Sequence, residues 1–138
     1  MTVRQISRTD VVTADPDTPV PDVAATMNEE RIGSVVVTED GTPVGLVTDR
    51  DIGVGVWEHD HPAQVTAADL MTGDLVTVDV ETGIYDALRV AEEANVRRLP
   101  VVDGDDLYGI VTLDDFVVLL SGEFDSVADV IQSESPPY

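Results

Sequence analysis

Set against itself at an offset of 64 residues, the sequence aligns without a gap, residues 11–52 on residues 75–116, and 11 of the 42 aligned positions are identical. Thr13/Thr77, Thr18/Thr82, Asp22/Asp86, Gly45/Gly109, Thr48/Thr112 and Asp51/Asp115 are among them. Most other positions exchange one apolar residue for another. This is a duplication, and it constrains the fold severely. A single copy of this size is marginal for a core of its own. The two copies are therefore expected to bury surface against each other as one pseudo-two-fold unit.

Each copy repeats one order of elements. A short strand (11–14; 75–78) precedes a helix opened by Thr18 or Thr82, since Thr is a favoured N-cap and Pro19 suits a first helical position. Val20, Val23, Ala24 and Met27 recur at i, i+3, i+4 and i+7, as do Ile84, Ala87, Leu88 and Ala91, which makes one apolar helix face. A buried strand (34–38; 99–102) runs through an acidic, glycine-containing turn into another strand (44–48; 108–112), the pattern of a hairpin. A last helix starts near Asp49 or Leu113. The order is β-α-β-β-α, twice. Valine-rich strands with short helices between them predict an α/β fold (α+β in some schemes). The expected divisions are a first repeat over 4–62, a second over 63–123, and a C-terminal helix with a frayed tail over 124–138. In that last segment Val127, Val130 and Ile131 are expected to be the apolar contacts of a short helix.

The charge is lopsided: 28 acids against 7 basic residues, all Arg, for a net −21. The excess is even along the chain, with 13 acids and 4 Arg in residues 1–70 and 15 acids and 3 Arg in the rest. Such self-repulsion destabilises a small fold in dilute buffer. It is largely screened at ~1 M salt, where the Debye length is about 3 Å. The composition therefore points to a salt-adapted protein. With no basic face to neutralise phosphates, nucleic acid is not an expected partner. No apolar run approaches the ~20 residues that span a bilayer, and the N-terminus lacks a signal-peptide pattern, so a cytoplasmic protein is expected, without a membrane partner. Without cysteine there are no disulfides or thiolate metal sites. His59-Asp60-His61 lies in a polar connector with no further ligands nearby, and Trp57 is expected to pack on that connector or on an oligomer face. No P-loop, dinucleotide fingerprint or nucleophile with its base is present, so no enzyme is expected.

The end of the last strand in each copy reads Gly45-Leu46-Val47-Thr48-Asp49-Arg50-Asp51 and Gly109-Ile110-Val111-Thr112-Leu113-Asp114-Asp115. Thr-x-x-Asp is a capping box in its own right. The same geometry also serves a ligand. A helix N-terminus offers free N–H groups to phosphate. An Asp there can accept both hydrogens of a ribose cis-diol.

The duplicated order, the Gly-apolar-apolar-Thr-x-x-Asp signature, the Leu99-Pro100-Val101-Val102-Asp103 run and Asp69-Leu70-Met71-Thr72 together resemble the CBS (cystathionine-beta-synthase) domain family, over residues 4–120. The resemblance implies a stand-alone pair of repeats with two clefts between them. It implies binding of adenine nucleotides (AMP, ADP, ATP) and, in some members, S-adenosylmethionine or NAD, as regulatory ligands with no catalytic cofactor. Carried over, Thr48 and Asp51 hold ribose and phosphate in one cleft, with Val76 and Val96 against the base. Thr112, Asp114 and Asp115 serve the other, with Val12 and Ile32. Arg97 and Arg98 stand where adenylate-binding members carry a basic pair, and Arg50 lies inside the first motif. These arginines either recognise phosphate or pair with nearby acids. Gly33-Ser34 replaces the pair in the first repeat, so the clefts are expected to be unequal, with the one holding Arg98 and Asp115 the better supplied. A homodimer and a regulated partner protein are also implied. The competing reading is a structural interaction module with vestigial clefts.

Overall fold

The computed structural model describes residues 1–134. It contains two three-stranded sheets with matching topology. The first consists of β1 (Thr13–Ala14), β2 (Ser34–Glu39) and β3 (Thr42–Thr48), with α1 (Val20–Glu30) between β1 and β2 and α2 (Asp49–Gly55) after β3. A connector with a one-turn helix, α3 (Ala67–Leu70), leads to the second sheet. That sheet consists of β4 (Val78–Asp79), β5 (Arg98–Asp103) and β6 (Asp106–Thr112), with α4 (Ile84–Ala94) between β4 and β5 and α5 (Leu113–Glu134) after β6. In each sheet the first pair is parallel and the second antiparallel. Even the register break recurs, between Val37 and Thr38 and between Val101 and Val102. The sheets meet along β3 and β6.

Burial follows the apolar pattern. Val35 and Val37 pack with Val23, Met27 and Val47 in one core cluster. Leu99, Val101 and Val111 pack with Ile84, Ala87, Ala91 and Phe116 in the other. Val36 and Pro100 point to the opposite sheet face and are also buried, so both faces of the central strands are covered. The hairpins use two turn chemistries. Asp40 and Gly41 both have positive φ, as a type I′ turn requires, whereas only Gly104 does in the second hairpin, as in type II′. The two turns touch, with Leu107 N–H donating to the Gly41 carbonyl at 2.9 Å.

Several sequence expectations need correcting. The helices are capped by Pro19 and Gly83, one residue after the threonines. Thr18 Oγ1 instead accepts the Asp15 N–H, and the Thr82 carbonyl accepts the Val3 N–H at 2.9 Å. There is no break near residue 124, because α5 is one helix of 22 residues. Val127, Val130 and Ile131 are each more than half exposed on it. Helix covers Ser133 and Glu134, and the rest of the expected frayed tail lies outside the described residues. Trp57 is 83% exposed and does not pack on the connector.

The lead-in segments cross over. Val3, ahead of the first repeat, is fully buried in the core of the second, and Arg8 bridges to Ile110. Ala67, ahead of the second repeat, is fully buried in the core of the first. Val65 and Ala67 bond to Val20 and Thr18 there.

Candidate functional site

Each antiparallel hairpin ends at a threonine that starts a helix. Thr48 is extended (φ −106°, ψ 162°) and caps α2. Its Oγ1 accepts the Asp51 N–H at 3.1 Å, and Asp51 Oδ2 accepts the Thr48 N–H at 2.9 Å. The second copy repeats this: Asp115 Oδ2 accepts the Thr112 N–H at 2.8 Å and the Thr112 hydroxyl at 3.0 Å. The capping box is thus formed in both copies. It fixes each carboxylate at the rim of a sheet with one oxygen turned outward.

What surrounds those outward oxygens differs. Beside Asp51 lies a cleft of about 200 Å³, walled by Leu46, Thr48, Thr72, Asp74, Leu75, Val76, Val96, Arg97 and Arg98. One wall comes from each repeat. Leu46, Leu75, Val76 and Val96 are apolar and partly buried. Asp51 Oδ1 has no hydrogen-bond partner among the described residues.

Beside Asp115 the lead-in segment fills the corresponding place. Arg8 and Ile110 exchange backbone hydrogen bonds at 3.0 Å each. The Arg8 guanidinium reaches Asp115 Oδ1 at 3.4 Å, so both oxygens of that carboxylate are engaged. At the 64-residue offset Arg8 corresponds to Thr72, whose N–H donates to the Leu46 carbonyl at 3.0 Å. The motif glycines explain themselves here. A Cβ on Gly109 would sit 2.5 Å from the Arg8 carbonyl oxygen, and one on Gly45 would strike the Met71 side chain.

Thr48, Asp51, Val76, Val96, Arg97 and Arg98 therefore come together in one place. Thr112 and Asp114 line a hollow that Asp115 does not. They share a depression of about 90 Å³ with Leu113 and the far side of Arg97 and Arg98. Arg98, expected beside Asp115, lines both the Asp51 cleft and the depression that holds Thr112 and Asp114. Val12 and Ile32 pack against the first core cluster. Arg50 is exposed and lines neither hollow. Sequence reasoning missed Leu46, Thr72, Asp74 and Leu75 in the cleft and Arg8 in its counterpart. The offset that revealed the duplication pairs residue 8 with residue 72, just outside the aligned segment, and would have exposed the asymmetry.

The arginines divide into two groups. Arg4 pairs with Glu81 (3.0 Å) and Asp103 (3.8 Å), Arg8 with Asp115, and Arg89 with Asp86 (3.9 Å). The Glu81 hydrogen bond raises the Arg4 pKa above its ordinary value. Arg31, Arg50, Arg97 and Arg98 make no ion pair among the described residues. In a chain with 28 acids, Arg97 and Arg98 are two adjacent positive charges on the wall of a cleft that make no ion pair, although Asp51 and Asp74 line the same cleft. His59 and His61 are exposed, and no three His, Cys, Asp or Glu side chains converge among the described residues. No helix among them is long and apolar enough to cross a membrane.

The CBS domain family matches this chain over residues 3–52 and 67–122. The CBS domain-containing protein YhcV of Bacillus subtilis is 31% identical over 116 residues, 84% of this chain and 83% of that protein. An uncharacterized protein of Methanopyrus kandleri is 35% identical over 120 residues, 85% of this chain, and the chain spans 61% of that protein's length. Inosine-5'-monophosphate dehydrogenase of Mycobacterium bovis is 38% identical over 112 residues, and the chain spans only 20% of it. Among solved structures, hypoxic response protein I with two coordinated zinc ions superposes with a TM-score of 0.77 at 33% identity, covering 85% of this chain and 97% of that one. CBSX2 in complex with AMP superposes with a TM-score of 0.76 at 28% identity, covering 90% and 98%. With both repeats matched and the paired sheets superposing, the chain belongs to the CBS domain family as a pair of CBS repeats.

Proposed function

We propose that this chain is a regulatory, non-catalytic module that senses an adenine nucleotide in the cleft between its two repeats. The observation that carries the reading is that Arg97 and Arg98, which make no ion pair among the described residues, stand on the wall of the cleft that also holds Thr48 and Asp51. Guanidinium groups are planar donors suited to phosphate. Asp51 Oδ1 is available to a ribose hydroxyl, and Leu46, Leu75, Val76 and Val96 offer an apolar slot for the base. The AMP complex of the similar CBSX2 supports AMP as the first ligand to try. ADP, ATP, S-adenosylmethionine and NAD share the adenosine part.

The two clefts are unequal in this reading. The Asp51 cleft binds ligand, and Arg8 already occupies the carboxylate of the other. A ligand that bridges walls from both repeats favours whichever arrangement of the repeats it fits best. A partner protein then reads that arrangement. The sparse pairing of acids supports a further element, operation in molar salt. Among the described residues only Asp86, Asp103, Asp115 and Glu81 take part in ion pairs.

The test is calorimetric titration of the five ligands in 1 M KCl against the wild type, Asp51→Ala and Asp115→Ala. Saturable binding that Asp51→Ala removes and Asp115→Ala spares is the expected result. If no ligand binds the wild type, the sensing reading fails. The alternative, an interaction module with vestigial clefts, then takes its place.

A further inference from the structure

The pseudo-two-fold symmetry of the two clefts breaks at one side chain. Residues 8 and 72 correspond at the 64-residue offset, and their backbones are seated alike. Each N–H donates at 3.0 Å to a carbonyl of the strand its lead-in crosses, Arg8 to Ile110 and Thr72 to Leu46. A glycine clears the way beneath each lead-in, Gly109 under the Arg8 carbonyl and Gly45 under Met71. Only the side chain at the shared position differs, a long cation in one copy and a short hydroxyl in the other.

The difference falls on the motif carboxylates. Asp115 Oδ2 accepts the Thr112 N–H and hydroxyl, and the Arg8 guanidinium lies 3.4 Å from Oδ1. Asp51 Oδ2 accepts the Thr48 N–H in the same way, but Thr72 makes no side-chain hydrogen bond to Asp51 among the described residues. A guanidinium N–H thus stands on the oxygen to which a ribose hydroxyl would donate. The apolar wall is kept in both copies: Val12, Ile32 and Ile110 are partly buried, as are their counterparts Val76, Val96 and Leu46. The second cleft lacks only the basic pair, since Gly33 and Ser34 take the places of Arg97 and Arg98. Stability does not account for the Arg8 contact. Its side chain is 70% exposed, and an ion pair with one end in solvent contributes little.

We propose that Arg8 is an internal stand-in for a ligand, closing the Asp115 cleft from its rim, and that the residue at positions 8 and 72 decides which cleft admits a ribose. With Arg8 removed, the Asp115 cleft takes a nucleoside without phosphate. The proposal rests on the nucleotide reading of the Asp51 cleft for its choice of ligand.

The test is calorimetric titration of the full chain with adenosine in 1 M KCl, with thermal unfolding to confirm that each variant folds. The wild type is expected to show one site. Arg8→Thr should show a second, which Asp115→Ala then removes. Arg8→Ala should gain the same site and serves if Arg8→Thr is unstable. The converse change, Thr72→Arg, should weaken adenosine at the Asp51 cleft roughly tenfold or more, as loss of a hydrogen bond to a charged group does. Arg89→Thr removes the same charge from another exposed ion pair and should gain nothing. The proposal is overturned if neither Arg8 variant gains a site that depends on Asp115, or if Arg89→Thr gains one as well. A wild type that binds neither adenosine nor AMP sinks the reading of the Asp51 cleft by itself. The Arg8 comparison still decides the proposal in that case, because the added site is counted against the wild type's own number.

Discussion

Replacing Arg97 and Arg98 together by Ala should weaken AMP binding and spare adenosine. A hydrogen bond from a charged donor contributes about 1.5–3 kcal/mol. Arg97 is exposed, Arg98 is only half-buried and the cleft is open, so the lower end of that range applies to each. Their joint loss is then about 2–3 kcal/mol, or roughly 30- to 150-fold in affinity. Molar salt does not remove this effect, because it screens charges beyond about 3 Å more than it does groups in contact. Neither arginine makes an ion pair, so the substitution breaks none. Folding stability should change by less than about 0.5 kcal/mol, as for ordinary surface substitutions. The assay is calorimetry with AMP and adenosine in parallel on wild type and variant. Adenosine lacks the phosphate, so its affinity should stay within about twofold, well inside the ~1.4 kcal/mol that makes a tenfold change. The reasoning is refuted if AMP loses less than threefold, or if adenosine loses as much as AMP, since either result places the arginines away from the phosphate.

Three further outcomes follow from the same geometry. Calorimetry should give one AMP per chain for the wild type, and Arg8→Ala should cost less than about 1 kcal/mol of stability because the Arg8 end of its ion pair is exposed and the contact is long, at 3.4 Å; two equal sites in the wild type would contradict the blocked cleft. Thermal unfolding should shift upward between 0.1 and 1 M KCl, as screening relieves the repulsion of a −21 chain; a flat or falling midpoint would remove the case for salt adaptation. The Thr66 backbone N–H, at 2.9 Å, holds the Asp69 pKa below its ordinary value. The capped form is thus favoured above the unfolded pKa of about 3.9, and that stabilisation is lost as pH falls through the lower folded value. In acid-unfolding titrations Asp69→Asn should be less stable than wild type near neutral pH and should converge on it in strong acid.

Much of this was legible before any coordinates. The 64-residue offset predicted the repeated topology, and burial of the central strands at Val35–Val37 and Leu99–Val101 followed from their apolar runs between turns. The threonines at 18 and 82 misled because a cap is chosen by competition. Thr18 was taken by an Asp15 turn and Thr82 by Val3, a contact 79 residues away in sequence. The long α5 was hidden for a different reason. Gly122 lies where the two helical segments were read apart, yet glycine in an exposed helix costs only about 1 kcal/mol. The cleft was half visible. Thr48, Asp51, Arg97 and Arg98 were named from their motifs, but Thr72, Asp74 and Arg8 lie in the lead-in segments that cross between repeats, which local pattern cannot reveal.

That crossing sets how the molecule comes apart. Val3 completes the core built by the second half of the chain, and Ala67 completes the core of the first. Neither repeat, excised at its own sequence boundaries, carries everything it needs to fold. Cleavage in the exposed stretch around residues 58–64 would yield two fragments that remain clasped, each holding a piece of the other's interior. Unfolding should accordingly be a single event for the whole pair. A ligand seated between the repeats would then protect residues far from its own contacts, near the chain start as much as at the cleft.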